Sequence, residues 1–386
     1  MKKPTYHVVH ARTMNFDLVK DLGFMPHVFG THFGYDTQLV TYPNDDFTWK
    51  SEIPGVRLSF IKKRFGEPID VLWFLFNHSK PIDILHLEHL QRNDNLLFGL
   101  MYKLRNPRGI LYYKLDASPQ IMMALVNRPK GFLTGIKTRF LKWMLRTKIN
   151  LISVEDCNHL QPLRDEYPFF AENILHLPNG YHIASPATVP IEEKQPWILT
   201  CSRIGSYQKA SDVLLEAFAL IKHDCPEWKL LLVGPIEPEF QGYLDAYFDK
   251  HPDLCERVQL QGYVTDRTHL SNLYAQASIF CLPSRWEGFS HAIMEAAYFG
   301  DYIVATNAGG GKDVLNKTDF GCLVPFDDPA ALAMALRDSI TLGKITKFRP
   351  REVQAVVERE FSWKNLCAKL DARLREELAA AERTLT

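Results

Sequence analysis

Two glutamates eight positions apart, Glu287 and Glu295, stand in the stretch CLPSRWEGFSHAIMEAAYFGDYIVAT, residues 281–306. Its pattern reads as a buried strand ending at Pro283, a polar turn holding Glu287 and Gly288, and a helix beginning near Ser290. Gly288 lets the backbone approach a ligand, and the helix start offers unpaired N–H groups at a positive dipole end. That combination suits a phosphate. Glu295, one to two turns into the helix, could accept two hydrogen bonds from a vicinal diol such as a ribose. A helix capped by Ser290 with both glutamates merely solvated is the other reading of the same residues.

Positioning such groups requires a scaffold, and the flanking sequence describes one. In the first half, YHVVHA, DTQLVTY, VRLSFI, IDILHL, GILYYKLD, INLISV and NILHLP are short β-rich runs separated by helical stretches, the pattern of βαβ units on a parallel sheet. Residues 183–196 then bring three prolines, mixed charge and no periodicity, as an exposed connection would. The second half repeats the design with WILTCS, WKLLLVG, RVQLQG, SIFCLP, YIVAT and FGCLVP. Between its first two strands, Val213, Leu214, Ala217, Leu220 and Ile221 recur at helical spacing. The expected fold class is therefore α/β with two Rossmann-like doubly wound domains facing a cleft: 1–182, a linker at 183–196, 197–360, and a C-terminal helix over 361–386. Ligands of open α/β sheets bind beyond the carboxyl ends of the strands, so the cleft is the expected site.

Composition agrees. At 386 residues the chain is too long for one ordinary core, and 46% hydrophobic residues with 23% charged exclude a disordered chain. Formal net charge is zero, which argues against a nucleic-acid partner, yet residues 1–196 carry 24 basic against 19 acidic side chains and the remainder 21 against 26. The basic first half suits an anionic acceptor or a membrane surface. Seven cysteines without a C-x-x-C pair fit a reducing compartment. With no signal-peptide pattern and no apolar run long enough to span a bilayer, a cytoplasmic location is expected.

The 281–306 string resembles the Glu-x7-Glu signature of retaining nucleotide-sugar glycosyltransferases, especially glycosyltransferase family 4, roughly P-S-x-x-E-G-F-G, four residues, then E-A-x-A-x-G-x-P-V-V-A-T. Upstream, CSRIGSYQKASDVLLEAFALI resembles the family stretch in which a strand ends in G/S-R and a lysine follows six residues later. LPNGYH, LQGYVTDRTHL, ATNAGGGKDVL with Asp313, GCLVPFDDPAALAMAL and the FSW at 361–363 are similar to further family segments. Together they cover residues 175–365. The resemblance implies the GT-B fold, a nucleotide-diphosphate sugar as donor, and retention at the anomeric carbon. It makes Arg203 and Lys209 the cations that grip the diphosphate, while Glu287 and the backbone of Gly288, Phe289 and Ser290 hold the sugar and distal phosphate. Glu295 would take the ribose hydroxyls, with Gly262 and Tyr263 near the base. Two fixed cations stabilise a departing nucleoside diphosphate more than the intact donor. No metal or further cofactor is expected, because no Asp-x-Asp accompanies the cradle and the two cations supply the charge. The acceptor would be a glycan or lipid-linked molecule, in bacterial surface polysaccharide or glycoconjugate synthesis.

The chain also departs from that pattern. Gly300-Asp301-Tyr302-Ile303 replaces the usual G-x-P-V, Ser290 stands where glycine is common, and YYKLDASP takes the place of a strand ending in T-x-H-D, so the family's histidine is missing. Lys114, Asp116, His86, Glu88, His89 and, beside the glutamate turn, His291 are the candidates for the acceptor or sugar; Lys20 and Asp21 are either contacts or a surface ion pair. Residues 128–148 hold seven basic side chains and no acid, with Leu133, Ile136, Phe140, Trp143 and Met144 able to share a face. Such a helix can rest on an anionic membrane, placing the protein peripherally at its inner face, or pack on the first sheet. A same-fold epimerase or phosphorylase, and a nucleotide-binding partner without chemistry, are the alternative functions. A dehydrogenase is disfavoured, since neither first strand leads into G-x-G-x-x-G.

Overall fold

The computed structural model describes residues 3–44, 46–90, 92–115, 125, 132–345 and 349–383. The chain forms two compact units, Met1–Gly180 with Ser362–Thr386, and Tyr181–Phe361. Each is built on a parallel sheet, as the repeated strand-helix pattern requires.

In the first unit β1 (Thr5–Val9), β2 (Asp36–Thr41), β3 (Arg57–Phe60), β4 (Ile84–Glu88), β5 (Ile110–Leu115), β6 (Leu151–Val154) and β7 (Ile174–His176) lie in the order β3-β2-β1-β4-β5-β6-β7. Strands β4 and β5 are buried along their whole length, because helices cover both faces. Their residues alternate between two cores. Leu85, Leu87, Leu111, Tyr113 and Leu115 meet α2 (Glu67–His78), α3 (Asn93–Arg105), α4 (Phe132–Thr147) and α5 (Cys157–Glu166). Ile84, Ile110 and Tyr112 meet α1 (Asp21–His32) and the closing helix α13 (Trp363–Arg383), which buries Leu366, Cys367, Leu370 and Leu374.

The second sheet runs β10-β9-β8-β11-β12-β13, from β8 (Gln195–Cys201), β9 (Lys229–Val233), β10 (Val258–Gly262), β11 (Ala277–Leu282), β12 (Tyr302–Thr306) and β13 (Gly321–Val324). Helices α6 (Ser211–Ile221), α7 (Gln241–Lys250) and α11 (Pro329–Thr341) cover one face. The other is covered by α8 (Arg267–Gln276), α9 (His291–Tyr298), α10 (Gly311–Thr318) and α12 (Pro350–Phe361). In α6 the expected apolar face needs one correction: Leu220 is 59% exposed, while Leu215 and Phe218 join Val213, Leu214, Ala217 and Ile221 in the core. The helix is apolar around most of its circumference, so spacing alone did not single out the solvent side.

Residues 183–196 fall within the second unit. Ile191 is buried there, the Thr188 amide donates to Asn272 Oδ1 at 2.7 Å, and β8 already begins at Gln195. In both sheets the strand order reverses beside the first strand, between β1 and β4 and between β8 and β11. Those are the places where open α/β sheets take ligands.

Candidate active site

The loops that leave β8 and β11 are neighbours at the second reversal point, and the protein ties them together. The Arg285 amide donates to Gln208 O at 2.8 Å, and Gln208 Nε2 donates back to Trp286 O at 3.0 Å. The Arg285 guanidinium donates to Tyr207 O at 2.6 Å, pairs with Asp212 at 2.9 Å and lies 4.1 Å from the centre of the Tyr207 ring. Glu287 sits at the centre of this frame with 6% exposure. Its carboxylate accepts from Ser284 Oγ at 2.7 Å and forms an ion pair with Lys209. Lys209 and Glu287 are 78 residues apart in sequence, yet they share one bond. Arg203 is 59% exposed, with its guanidinium 3.4 Å from Gln208 Oε1 and 3.8 Å from Glu237. It is an accessible cation beside this part-buried pair.

Gly309, at φ +47°, closes the site from below: a Cβ there would lie 2.0 Å from Glu287 Cβ. Its carbonyl accepts the Ser290 amide at 2.9 Å. That N–H, expected to belong to the anion cradle, is therefore engaged by the protein itself. Gly288 follows Glu287 in the turn, Phe289 is buried in the core below it, and His291, partly exposed, is the first residue of α9.

Glu295 lies further along α9, facing Tyr274 and Arg267 of α8. Part of the residue reaches solvent. Its carboxyl is enclosed, and burial raises its pKa to about 7 despite the opposing Tyr274 hydrogen bond and Arg267 charge. With His182, Ser185 and Phe299 these residues line a cavity of about 20 Å³, room for one water. At the end of β8, burial pushes the Cys201 thiol up to about 12; Glu295 raises it further, and Lys209 and Arg267 act against them. Lys209 and Glu295 thus both act electrostatically on the thiol at this strand end. Beside it, Gly234 at φ +135° lets β9 approach, since a Cβ would lie 1.8 Å from Ser202 O. Its amide donates to Gly262 O at 2.8 Å, and Tyr263 beyond stands 71% exposed.

The Asp301 departure has a partner. Asp301 is fully buried, and Lys194 Nζ donates to it at 2.6 Å and to Phe299 O at 2.8 Å. Burial pushes the carboxyl up to about 7 and the amine down. The pair pins the 183–196 segment against the end of α9, next to Glu295.

In the first unit the candidates separate. Lys114 is fully buried, bonded to Asp21 at 2.8 Å, to Asn179 at 2.9 Å and to Glu155. Its amine is thus consumed by the fold instead of facing an acceptor. His86 is also fully buried, between Tyr6, whose hydroxyl is 2.9 Å from Nδ1, and the Tyr112 ring; burial lowers its pKa to about 3. It is a neutral core histidine. Asp116 lies outside the described residues. Of the two readings of Lys20 and Asp21, contacts or a surface ion pair, the pair gives way to other pairings: Lys20 lies 3.9 Å from Asp17, and Asp21 joins Lys114. Glu88 is buried, and His89, 3.7 Å from it, takes a left-handed φ of +55° at the end of β4. A strained non-glycine residue at a reversal point is a mark of a functional loop. Glu155 escaped the sequence reading, and Asn179 was singled out only as part of the LPNGYH turn. The common signal of these two is position, since both follow the end of a strand closely.

In α4 the expected shared face is corrected. Met144 is buried with Leu141 and Leu145, whereas Ile136 and Trp143 are exposed alongside Lys137, Arg139 and Arg146. No helix among the described residues is long and apolar enough to cross a membrane.

Residues 195–341 match the family described as glycosyl transferases group 1. A phosphatidyl-myo-inositol mannosyltransferase of Mycolicibacterium smegmatis is 30% identical over 167 residues, 42% of this chain and 42% of that protein. A D-inositol 3-phosphate glycosyltransferase of Streptomyces coelicolor is 28% identical over 165 residues, 42% of this chain and 36% of its own length. The chain spans about half the length of the curated relatives it matches. Among solved structures, a glycosyltransferase from Rickettsia africae superposes with a TM-score of 0.76 over 98% of this chain and 99% of that one, at 19% identity. Anabaena HepE in complex with UDP gives 0.70 over 97% and 100%, at 18% identity. The fold is the GT-B fold of these proteins.

Proposed function

We propose, from a chain that resembles the group 1 glycosyl transferases over residues 195–341, that this protein is a glycosyltransferase using a nucleotide-diphosphate sugar, and that it transfers with retention. The observation that carries the reading is the Lys209–Glu287 pair at the reversal point of the second sheet, with Arg203 exposed beside it and Glu295 near the same strand end. A diphosphate entering here meets an exposed guanidinium and an ammonium that is already held in place. Glu295 takes the ribose hydroxyls, Glu287 and the backbone of Gly288 and Phe289 face the sugar and distal phosphate, with the Ser290 amide held by Gly309 O instead, and Tyr263 lies near the base. A leaving-group phosphate oxygen helps take the acceptor proton on the same face, so no enzymic nucleophile is required. The cations do the work of a divalent metal, and turnover continues in EDTA.

The acceptor in this reading is a glycan or lipid-linked molecule of bacterial surface synthesis. The protein works in the cytoplasm, with the basic exposed side of α4 against the inner face of the membrane. A thermal-shift panel of UDP-, GDP- and dTDP-sugars tests the donor site. One donor should raise the melting temperature with its concentration, and Glu295→Ala, Arg203→Ala and Lys209→Met should each abolish the response. A response that survives all three substitutions would refute the assignment.

A further inference from the structure

A cluster of unexplained apolar surface lies on α2. Ile69, Trp73 and Phe76, spaced four and three residues apart, share one side of the helix and are 56%, 47% and 48% exposed; Phe65, just ahead of it, is 70% exposed. The opposite side supplies Val71 and Leu75 to the core, so the fold has no use for the outer stripe. Adjacent α3 adds exposed Leu97 and Leu104, and α4, which contacts α3, adds Ile136 and Trp143. Cations lie on the rings: Arg64 is 4.8 Å from the centre of Trp73 and Arg105 is 4.4 Å from that of Phe76. Lys62, Lys63, Lys80 and Arg108 are exposed close by. The nearby acids are occupied. Glu67 pairs with Arg12 and Arg92. Asp70 is buried and accepts the amides of Arg64, Phe65 and Gly66 at 3.0–3.2 Å, which fixes the loop that presents Phe65.

We infer that this α2 face is the principal membrane-docking surface of the protein, and that its partner is an anionic lipid bilayer. Aromatic rings enter the headgroup boundary, where indole and phenyl side chains are favoured, and the guanidiniums above them meet lipid phosphates. Charge complementarity selects this occupant: rings crowned by cations match an apolar layer under an anionic one. The inference rests on the membrane reading above and moves its centre from α4 to α2. It is independent of the donor site.

Flotation of the full chain with phosphatidylglycerol-containing vesicles, and with phosphatidylcholine vesicles alone, tests it at low and high salt. Two double variants are compared with wild type: Trp73→Ser with Phe76→Ser, and Lys137→Glu with Arg139→Glu. Unchanged melting temperature and donor-induced thermal shift establish that each is folded. Wild type should float with the anionic vesicles only. The α2 variant should lose at least about tenfold in partitioning, as expected for removing two half-exposed aromatic anchors, whereas Trp73→Phe should retain binding. If the α2 variant floats like wild type while the α4 variant does not, the α2 assignment fails and the α4 reading stands. If wild type does not float, both fail. A wild-type dimer that the α2 variant dissociates, without lipid binding, would make the face a self-association surface and overturn the inference.

Discussion

Replacing Lys194 by methionine removes the ammonium that Asp301 holds at 2.6 Å and leaves a fully buried carboxyl group behind. At a charge separation near 4 Å and an effective dielectric of 20, the attraction is about 4 kcal/mol. Breaking a buried pair by removing one partner costs roughly 3–5 kcal/mol. The second unit comprises Tyr181–Phe361, a size at which 1 kcal/mol moves the melting temperature by about 2–4 °C. Lys194→Met and Asp301→Leu should therefore each lower its transition by about 6–20 °C. The double variant Lys194→Met with Asp301→Leu leaves no buried charge and should recover to within about 2 kcal/mol of wild type. Lys194 also binds Phe299 O, at the end of the helix that carries Glu295, so both single variants should weaken the donor-induced shift. Urea denaturation of the four proteins gives the coupling energy directly. Single substitutions costing less than about 1 kcal/mol, or losses that simply add in the double variant, would refute the reasoning.

Three further outcomes follow from the same geometry. Glu295 has a folded pKa of about 7 against an ordinary 4.5, so the native state binds more protons between these values and stability falls as pH rises from 4.5 to 7. Glu295→Gln should flatten that fall, gaining up to about 3 kcal/mol over wild type at pH 8 and nothing near pH 4; melting curves with identical pH profiles would contradict it. Gly309→Ala places a Cβ 2.0 Å from Glu287 Cβ at a left-handed φ, and should cost about 1–3 kcal/mol with a weakened donor response; a wild-type denaturation midpoint would count against that contact. His86→Phe keeps a ring between Tyr6 and Tyr112 and should leave the pH–rate profile unchanged, because the buried imidazole is already neutral at working pH; loss of one limb of the profile would make His86 a proton carrier after all.

Much of the fold could be read directly, because parallel strands buried on both faces spell themselves as continuous runs such as ILHLE and ILYYKL. The donor loops were legible because one short string holds Glu287 and Glu295. The pairings were not. Lys114 meets Glu155 across 41 residues and Asn179 across 65, and Lys194 meets Asp301 across 107. No local periodicity encodes such contacts. Lys114 looked available because it ends a strand, where ligands bind; only the packed unit reveals that two acids and an amide already surround it. The α2 stripe escaped notice for another reason: Ile69, Trp73 and Phe76 have the spacing of a buried face, and only the location of Val71 and Leu75 tells which side is inside.

The chain leaves its first unit after Gly180 and re-enters it at Ser362, so the second unit is inserted within the first. Helix α13 completes the core around Tyr6, Phe29 and Tyr112. During synthesis, then, the inserted unit has its whole sequence before the enclosing one does, and strands β1–β7 must wait for α13. Truncating α13 should consequently injure a unit whose strands are all translated before the inserted one.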